Sequence, residues 1–223
     1  MKKIVIAMLF TIFFGCQNQT FYEEEVNKND DLLEFLLIGN KRFLDEKPTH
    51  PHQDINAVLK NQNSQKPFAV IVTCSDSRVS PEILFDQGIG DLFVIRNAGN
   101  LISDIDMGSI EYAIEHLDTK LIIVLGHTEC GAIKAYLGDK KDDYKKHLSH
   151  IDNIIETIAN ENEQKKIKNT NDLNSCIIAN IMHSKKIIEE NPIIKAHKTK
   201  IISWNIMFIV EKLYNYKLQI TLS

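Results

Sequence analysis

In Phe68-Ala-Val-Ile-Val-Thr-Cys-Ser-Asp-Ser-Arg78, an apolar run leads directly into three reactive side chains. A run of this length is typical of a strand that is buried on both faces of a sheet. The thiol of Cys74, the carboxylate of Asp76 and the guanidinium of Arg78 follow it in close succession. The stretch therefore predicts a central strand that ends at a reactive loop.

The rest of the chain alternates between apolar runs and helical segments. Further strands are predicted at Leu92–Arg96, Leu121–Leu125 and Ile201–Trp204. Helices are predicted at Leu32–Leu44, Ser109–Leu117, Ala132–Leu137, Leu148–Ile158 and Leu173–Glu190, the last closed by Pro192. This alternation predicts an α/β fold with a short, mainly parallel sheet flanked by helices, and the first helix forms an N-terminal arm. The 223-residue chain has room for one such domain, at residues 31–223.

A second reactive loop, Gly126-His-Thr-Glu-Cys-Gly131, follows the third apolar run. Parallel sheets bind ligands at the carboxyl ends of their strands, so Cys74, His127 and Cys130 can converge at one edge. Thiolate and imidazole suit tetrahedral Zn²⁺, and three protein ligands leave a fourth position open for catalysis. The spacing is not that of a zinc finger. Two other interpretations stay open, namely a Cys74–Cys130 disulfide and a purely structural Asp76–Arg78 ion pair.

Three other potential metal ligands are not expected to bind a metal. His50 and His52 lie beside prolines in a polar loop, which favours solvated side chains. Cys176 lies in an apolar helical stretch, where a buried thiol is expected. The formal net charge is −4 and the lysines and arginines are scattered, which argues against nucleic-acid binding.

Several motifs in the same order resemble the β-class carbonic anhydrases. The resemblance runs from about Leu33 to Leu137 and is weaker beyond it. Its most specific part is Cys-x-Asp-x-Arg at Cys74–Arg78, followed some fifty residues later by His-x-x-Cys at His127–Cys130. The supporting stretches are Gln65-Lys-Pro-Phe68 and Gly90-Asp-Leu-Phe-Val-Ile-Arg-Asn-Ala-Gly-Asn100.

This resemblance implies one Zn²⁺ per subunit, held by Cys74, His127 and Cys130. It also implies reversible hydration of CO2 to bicarbonate by a zinc-bound hydroxide. Asp76 would be the catalytic acceptor of a hydrogen bond from that hydroxide, and Arg78 would hold it in place. In the inactive form of the family, the aspartate leaves the arginine and becomes the fourth zinc ligand. Because two thiolates raise the pKa of zinc-bound water, we expect activity to increase with pH.

The resemblance further assigns a substrate pocket. Gln65 matches a glutamine that helps to hold CO2 or bicarbonate. The apolar lining corresponds to Phe93, Ala98, Gly99 and Tyr112, although Tyr112 could equally be a core residue. By analogy alone, the enzyme is expected to be a homodimer or a dimer of dimers, with the Leu32–Leu44 helix packed on the partner.

The sequence leaves two alternative functions open. The fold could belong to a zinc-binding surface lipoprotein that has lost turnover, although storing a metal requires neither Asp76 nor Arg78. The site could instead hydrolyse a CO2 analogue such as carbon disulfide, since access to the pocket decides the substrate.

The N-terminus predicts export. Met1-Lys2-Lys3 is basic, Ile4–Phe14 is an apolar run too short to span a bilayer, and Gly15-Cys16 follows it. This resembles a lipoprotein signal at residues 1–16 with lipidation at Cys16, followed by a polar tether at residues 17–30. Cleavage without lipidation and an uncleaved anchor are the alternatives. The expected location is the periplasm or cell envelope, with a lipid anchor in the membrane.

The C-terminal segment departs from the family pattern. At Ile201-Ile-Ser-Trp-Asn-Ile-Met-Phe208 it lacks the glycines and the tyrosine that family members usually carry. This departure leaves the packing of the last strand and the dimer contacts open, while none of the implied zinc ligands is affected.

Overall fold

The computed structural model of the protein describes residues 31–139, 149–167 and 171–206. Its strands are β1 (Ala69–Cys74), β2 (Leu92–Asn97), β3 (Leu121–His127) and β4 (Lys200–Ile206). Its first five helices are α1 (Leu32–Leu44), α2 (Ile55–Asn61), α3 (Pro81–Leu84), α4 (Asp104–His116) and α5 (Gly131–Asp139). The remaining helices are α6 (His150–Asn160), α7 (Asn162–Lys166), α8 (Leu173–Glu190) and α9 (Pro192–His197).

The four strands form one parallel sheet in the order β2-β1-β3-β4. Strand β1 lies in the middle, where Cys74 is level with Asn97 of β2 and Thr73 is level with Leu125 of β3. Every residue of β1 and β3 is buried, as their apolar sequences predict. The predicted α/β class with a parallel sheet flanked by helices is therefore confirmed.

Side chains at the helix starts satisfy backbone N–H groups that have no partner inside the helix. Asp31 accepts from Leu33 N at 3.1 Å at the start of α1. Ser103 and Asp106 form a reciprocal capping box at the start of α4. These caps explain why α4 begins at Asp104, five residues before the predicted boundary, although its first turn is polar.

Apolar side chains pack on both faces of the sheet and form two separate cores. On one face, Val70 and Val72 of β1 and Ile122 and Val124 of β3 pack against the layer made by α4 to α9. On the other face, Ile71 and Ile123 pack with Leu36 of α1, and with Phe85 and Trp204. Burial of each of these aliphatic side chains contributes roughly 1.5–3 kcal/mol to the free energy of unfolding. Cys74 and Cys130 belong to the first core, which places the reactive loops on that side.

The last strand forms despite its unusual sequence. Strand β4 pairs with β3 along its whole length, and Trp204 is 2% exposed with its ring 5.3 Å from that of Phe85. Because the bulky indole fills the second core, the missing glycines do not prevent the strand from packing. Residues 207 and 208 of the divergent segment lie outside the described residues.

The chain beyond α8 differs from the prediction. Pro192 does not only close α8; it is also the first residue of α9, and Asn191 caps that helix by accepting from Ile193 N at 2.9 Å. Proline is well suited to this position because the first turn needs no intrahelical N–H bond there. The short helices α2, α3 and α7 were not predicted either. Among the described residues, none of the helices is long and apolar enough to cross a membrane.

Candidate metal centre

Three predicted ligands meet at the carboxyl edge of the sheet. Cys74 ends β1, His127 ends β3, and Cys130 lies just before α5. Their potential ligand atoms all lie within 4.8 Å of one another, and all three side chains are buried. Cys74 and Cys130 are free thiols, so the disulfide interpretation is not what the structure shows.

The imidazole of His127 has a fixed orientation. Its Nδ1 lies 2.9 Å from the backbone oxygen of Thr128, so Nδ1 donates a hydrogen bond and Nε2 faces the other two ligands. In metalloproteins a second partner of this kind sets the tautomer of a ligating histidine. The tautomer therefore presents a lone pair at Nε2, as a metal ligand requires.

The thiol groups of Cys74 and Cys130 interact directly. The hydrogen bond with Cys130, followed by one from the Gly99 N–H, lowers the pKa of Cys74 below the ordinary thiol value, although burial opposes this. The same hydrogen bond with Cys74, together with burial, raises the pKa of Cys130. Cysteine binds a metal as the thiolate, so a dication held by both sulfur atoms would displace the thiol protons that remain.

The donor set fits zinc. Two sulfur atoms and one imidazole nitrogen are the ligands that Zn²⁺ takes in proteins, and tetrahedral bonding at its usual bond lengths separates such atoms by about 3.5–3.8 Å. Ligand atoms that all lie within 4.8 Å of one another are compatible with that spacing. Three ligands leave one tetrahedral position for a small molecule. Cys74, His127 and Cys130 would hold the ion.

Asp76 and Arg78 form a bidentate ion pair beside the ligands. Arg78 donates from Nε to Oδ1 at 2.9 Å and from Nη2 to Oδ2 at 2.7 Å, and its backbone N–H donates to Oδ1 at 3.0 Å. The Arg78 side chain holds the pKa of the Asp76 carboxyl well below its usual range. Oδ2 lies 4.0 Å from His127 Nε2, so the carboxylate borders the potential metal position while it stays on the arginine. This arrangement differs from the inactive form described above, in which the aspartate leaves the arginine and becomes a metal ligand.

A second arginine supports the same loop and was missed by sequence reasoning. Arg96 of β2 donates from Nη2 to the backbone oxygen of Asp76 at 2.9 Å and from Nε to that of Cys74 at 3.3 Å. Its position at the end of a predicted strand, next to the strand that carries Cys74, was the available signal. Arg78 adds a contact to the backbone oxygen of Glu129 at 3.3 Å, which links the two reactive loops.

The predicted pocket residues divide into two groups. Ala98 and Gly99 follow β2 at the metal edge, and the Gly99 N–H lies 3.4 Å from Cys74 Sγ. Gln65 instead precedes β1 at the opposite edge of the sheet. Phe93 is level with Val70, and its ring lies 6.3 Å from that of Tyr112, which is 46% exposed. The chain therefore brings Ala98 and Gly99, but not Gln65, to the edge of the sheet that holds the three ligands.

The expectation of solvated histidines in the proline-rich loop is wrong for His52. Its side chain is only 9% exposed, and Nδ1 lies 2.9 Å from Asp91 Oδ1. Hydrogen bonding to Asp91 raises the pKa of His52 above its ordinary value. The pair joins the loop before α2 to the start of β2. His50 is exposed, as expected, and the buried thiol of Cys176 is also found.

The sequence is similar to a family and to individual proteins that are named as carbonic anhydrases. The family profile described as Carbonic anhydrase matches residues 69–212. A carbonic anhydrase of Mycolicibacterium smegmatis is 52% identical over 124 residues, which cover 56% of this chain and 60% of the relative. Carbonic anhydrase 2 of Mycobacterium tuberculosis is 45% identical over 124 residues, or 56% of this chain and 59% of the relative. The matched part of the chain thus spans about three fifths of these curated relatives.

Solved structures extend the likeness to the fold. A β-carbonic anhydrase of Coccomyxa, solved in complex with acetazolamide, superposes with a TM-score of 0.59 at 29% identity, over 79% of this chain and 83% of that one. The β-carbonic anhydrase CcaA gives a TM-score of 0.60 at 26% identity, over 78% and 83% of the two chains.

Proposed function

Because the chain belongs to the carbonic anhydrase family, and within it to the β class, we propose that it catalyses the reversible hydration of CO2 to bicarbonate and a proton. One observation carries the proposal. Cys74, His127 and Cys130 converge within 4.8 Å, and the carboxylate of Asp76 stands 4.0 Å from His127 Nε2 without occupying a ligand position. The cofactor would be one Zn²⁺ per chain.

Zinc, when bound, acts as a Lewis acid that lowers the pKa of water to about 7 and so supplies hydroxide near neutral pH. The chain supplies a fixed acceptor for the proton of that nucleophile. Since the pKa of Asp76 lies well below its usual range, Asp76 is ionised at neutral pH and can only accept a hydrogen bond. An obligate acceptor of this kind directs the lone pair of the nucleophile away from Asp76 and toward CO2.

Arg78 keeps Asp76 available for this role. Three hydrogen bonds join the two residues, and the one to Oδ2 holds the oxygen that borders the metal position. Charge-assisted bidentate pairs of this kind are among the strongest hydrogen bonds in proteins. The loop is also held by Arg96, whose guanidinium bonds two of its backbone oxygens. These contacts favour the arrangement in which the fourth metal position stays open to substrate.

Stopped-flow CO2 hydration by the zinc-loaded protein, between pH 6.5 and 9, tests the proposal. We expect zinc-dependent turnover that increases with pH and is lost in Cys130→Ser. Cys176→Ser is the matched control, because Cys176 is also a fully buried thiol but is not one of the three residues whose ligand atoms converge. It should retain the activity of the parent protein.

Two results would contradict the proposal in different ways. Bound zinc without turnover at any pH would favour a zinc-binding protein or a different substrate, and carbon disulfide would then be assayed. Failure of the reduced protein to bind zinc would remove the metal centre itself.

The division of the predicted pocket supports a homodimer, alone or as a dimer of dimers. Phe93 lies four residues before the level of Cys74, which is about 13 Å along a strand, and Gln65 lies farther still. Phe93 packs only partly into the core and Tyr112 is 46% exposed. We infer that the partner's Phe93 and the partner's Tyr112 complete the apolar wall of each site, and that the partner's Gln65 supplies a polar contact to the substrate. CO2 is small and apolar, so such a wall would hold it beside the nucleophile.

Residues 1–30 lie outside the described residues, and their role is proposed from the sequence alone. We propose that residues 1–16 direct export and that Cys16 becomes a lipidated N-terminus, which anchors the enzyme in the cell envelope through a tether at residues 17–30. The basic start, the short apolar run and Gly15-Cys16 support this. Metabolic labelling with a radioactive fatty acid should mark the parent protein and not Cys16→Ala. Equal labelling of both would contradict lipidation at this residue.

A further inference from the structure

Two buried side chains of α8 reach the loop that connects β2 to α4. Asn180 donates from Nδ2 to the backbone oxygen of Gly99 at 2.8 Å, and Ser184 donates from Oγ to that of Asn100 at 2.9 Å. Both side chains are 1% exposed. They lie four residues apart, so they occupy the same face of the helix. Helix α8 thus holds two consecutive carbonyl groups of this loop.

The loop has an unusual backbone that requires such support. Gly99 has φ +88° and Asn100 has φ +48°, two successive residues in the left-handed region. A Cβ atom at Gly99 would also lie 3.1 Å from the Cβ of Ala132, so the loop passes close to α5. Asn97 adds two hydrogen bonds to the backbone of Leu101, at 2.7 and 2.8 Å. Backbone in sparsely populated conformations persists only where its surroundings fix it.

This conformation directs the Gly99 N–H at a metal ligand. The amide nitrogen lies 3.4 Å from Cys74 Sγ, within hydrogen-bond range for sulfur. A hydrogen bond to a thiolate stabilises its charge and reduces the electron density that it donates to a metal. This N–H belongs to the Ala98–Gly99 peptide, and Asn180 and Ser184 hold the carbonyl groups of the next two peptides. The strength of the bond to sulfur therefore depends on a segment whose position these two side chains fix.

We propose that Asn180 and Ser184 are positioning residues that act through the Gly99 N–H on the Cys74 sulfur and so set its donor strength toward the metal. The inference rests on the proposed zinc centre. It gives a site role to a helix that carries none of the motifs of the metal centre. The coupling spans more than eighty positions of sequence, and the hydrogen bonds of Asn180 and Ser184 are its first link.

The test uses Co²⁺ in place of zinc, because bonds between cobalt and thiolate absorb light in the near ultraviolet. Asn180→Ala should weaken the Gly99–Cys74 contact, make the thiolate a stronger donor, and move the sulfur-to-cobalt band to longer wavelength. Ser184→Ala should give a smaller shift in the same direction. It is also the milder change should Asn180→Ala fold poorly.

Asn40→Ala is the matched control. Asn40 is 4% exposed and donates from Nδ2 to the backbone oxygen of Leu84 at 2.8 Å, so the same kind of buried bond is lost away from the β2–α4 loop. It should lower the urea midpoint as Asn180→Ala does and leave the band unchanged. Bands that stay in place in both α8 variants would overturn the inference and leave the metal centre intact. Absence of the band in the parent protein would refute the metal centre as well, so the two failures are distinguishable.

Discussion

Asp76 keeps one charge state over the whole range in which the enzyme is expected to work. Arg78 lowers the pKa of its carboxyl below the usual range, so the favourable ion pair exists above the unfolded-state pKa of about 3.9. It is lost only as the pH falls through the lower, folded-state pKa. Between pH 6.5 and 9 the charge of Asp76 is therefore constant, and the pH dependence of CO2 hydration has to come from another group.

Asp76→Asn removes the charge and retains the shape of the side chain. The amide cannot accept both Arg78 hydrogen bonds, and its NH2 group can donate where the carboxylate only accepts. We expect CO2 hydration to fall by about 10- to 100-fold, measured by stopped flow, with zinc content unchanged. Asp118→Asn is the control, since Asp118 is an exposed aspartate that pairs with Lys120. Full activity of Asp76→Asn would show that the aspartate is dispensable.

The metal ligands could be predicted from the sequence because each follows an apolar strand in a short and specific motif. Cys74 and His127 could be predicted to lie close together because the carboxyl ends of parallel strands meet at one edge of the sheet. The same rule could have pointed to Arg96, which ends the neighbouring predicted strand, although it does not show which backbone oxygens Arg96 bonds. Asn180 could not be found this way, because its role depends on a backbone oxygen eighty residues earlier in the chain, and no local pattern encodes such a distance.

The packing of α8 against β3 depends on the absence of a side chain at Gly126. A Cβ atom there would meet Ile181 Cδ1 at 2.2 Å and Cγ1 at 2.4 Å, and Ile181 is itself 3% exposed. Gly126→Ala should therefore lower the free energy of unfolding by about 1–3 kcal/mol. It should also weaken metal binding, because His127 is the next residue.

Gly108 of α4 provides the comparison for urea unfolding of the metal-free protein. A Cβ atom there would meet nothing within 4 Å, and alanine favours a helix, so Gly108→Ala should be neutral or stabilising by up to about 1 kcal/mol. Equal unfolding midpoints for the two variants would mean that α8 can move away from β3 without cost.

A buried carboxyl at the junction of α6 and α7 makes stability depend on pH. Glu161 is 2% exposed, and burial raises its pKa to about 8, with a smaller effect from Glu163. The folded state then binds a proton that the unfolded state has released, so stability falls as the pH rises from about 4.5 to 8. The slope approaches about 1.4 kcal/mol per pH unit.

Glu161→Gln should remove most of this slope. Urea unfolding at pH 5 and pH 8 measures it, and the variant should be the more stable protein at pH 8. Glu156→Gln on the exposed face of α6 is the control and should follow the parent protein. Parallel losses in the parent and Glu161→Gln would show that Glu161 is not the group responsible.

Among the elements, the long and strongly apolar ones were predicted with boundaries close to those observed. Strands β1 and β3 and helix α8 are examples, because an unbroken buried run or eighteen residues of helical pattern leaves little ambiguity. The short helices α2, α3 and α7 could not be predicted. They have at most seven residues each, which is too few to show a period, and tertiary contacts hold them.

A shared pocket between two subunits can be tested by mixing two inactive proteins. Cys74→Ser lacks a metal ligand but keeps the pocket wall, and a Phe93→Ala, Tyr112→Ala double variant has the reverse defect. If each site uses the partner's wall, co-expression should restore about one quarter of the parent activity, since half of the dimers then hold one intact site of two. The zinc content should match the number of intact Cys74 residues.

A Cys74→Ser, Phe93→Ala, Tyr112→Ala triple variant, mixed with the same double variant, is the control for this experiment. Neither protein in this mixture has an intact pocket wall, so the mixture should not regain CO2 hydration activity. Failure of the first mixture to regain activity, although mixed dimers are present in the ultracentrifuge, would place all pocket residues in one subunit.

The closeness of Cys74 and Cys130 imposes an order of events on the making of this protein. Two free thiols with sulfur atoms within 4.8 Å need only a small movement to join, and one of them already tends toward the reactive thiolate. An oxidising compartment supplies the oxidant for that step. A chain that is exported as proposed has to acquire its metal before it meets that oxidant, and the ion then serves as the protecting group of its own ligands.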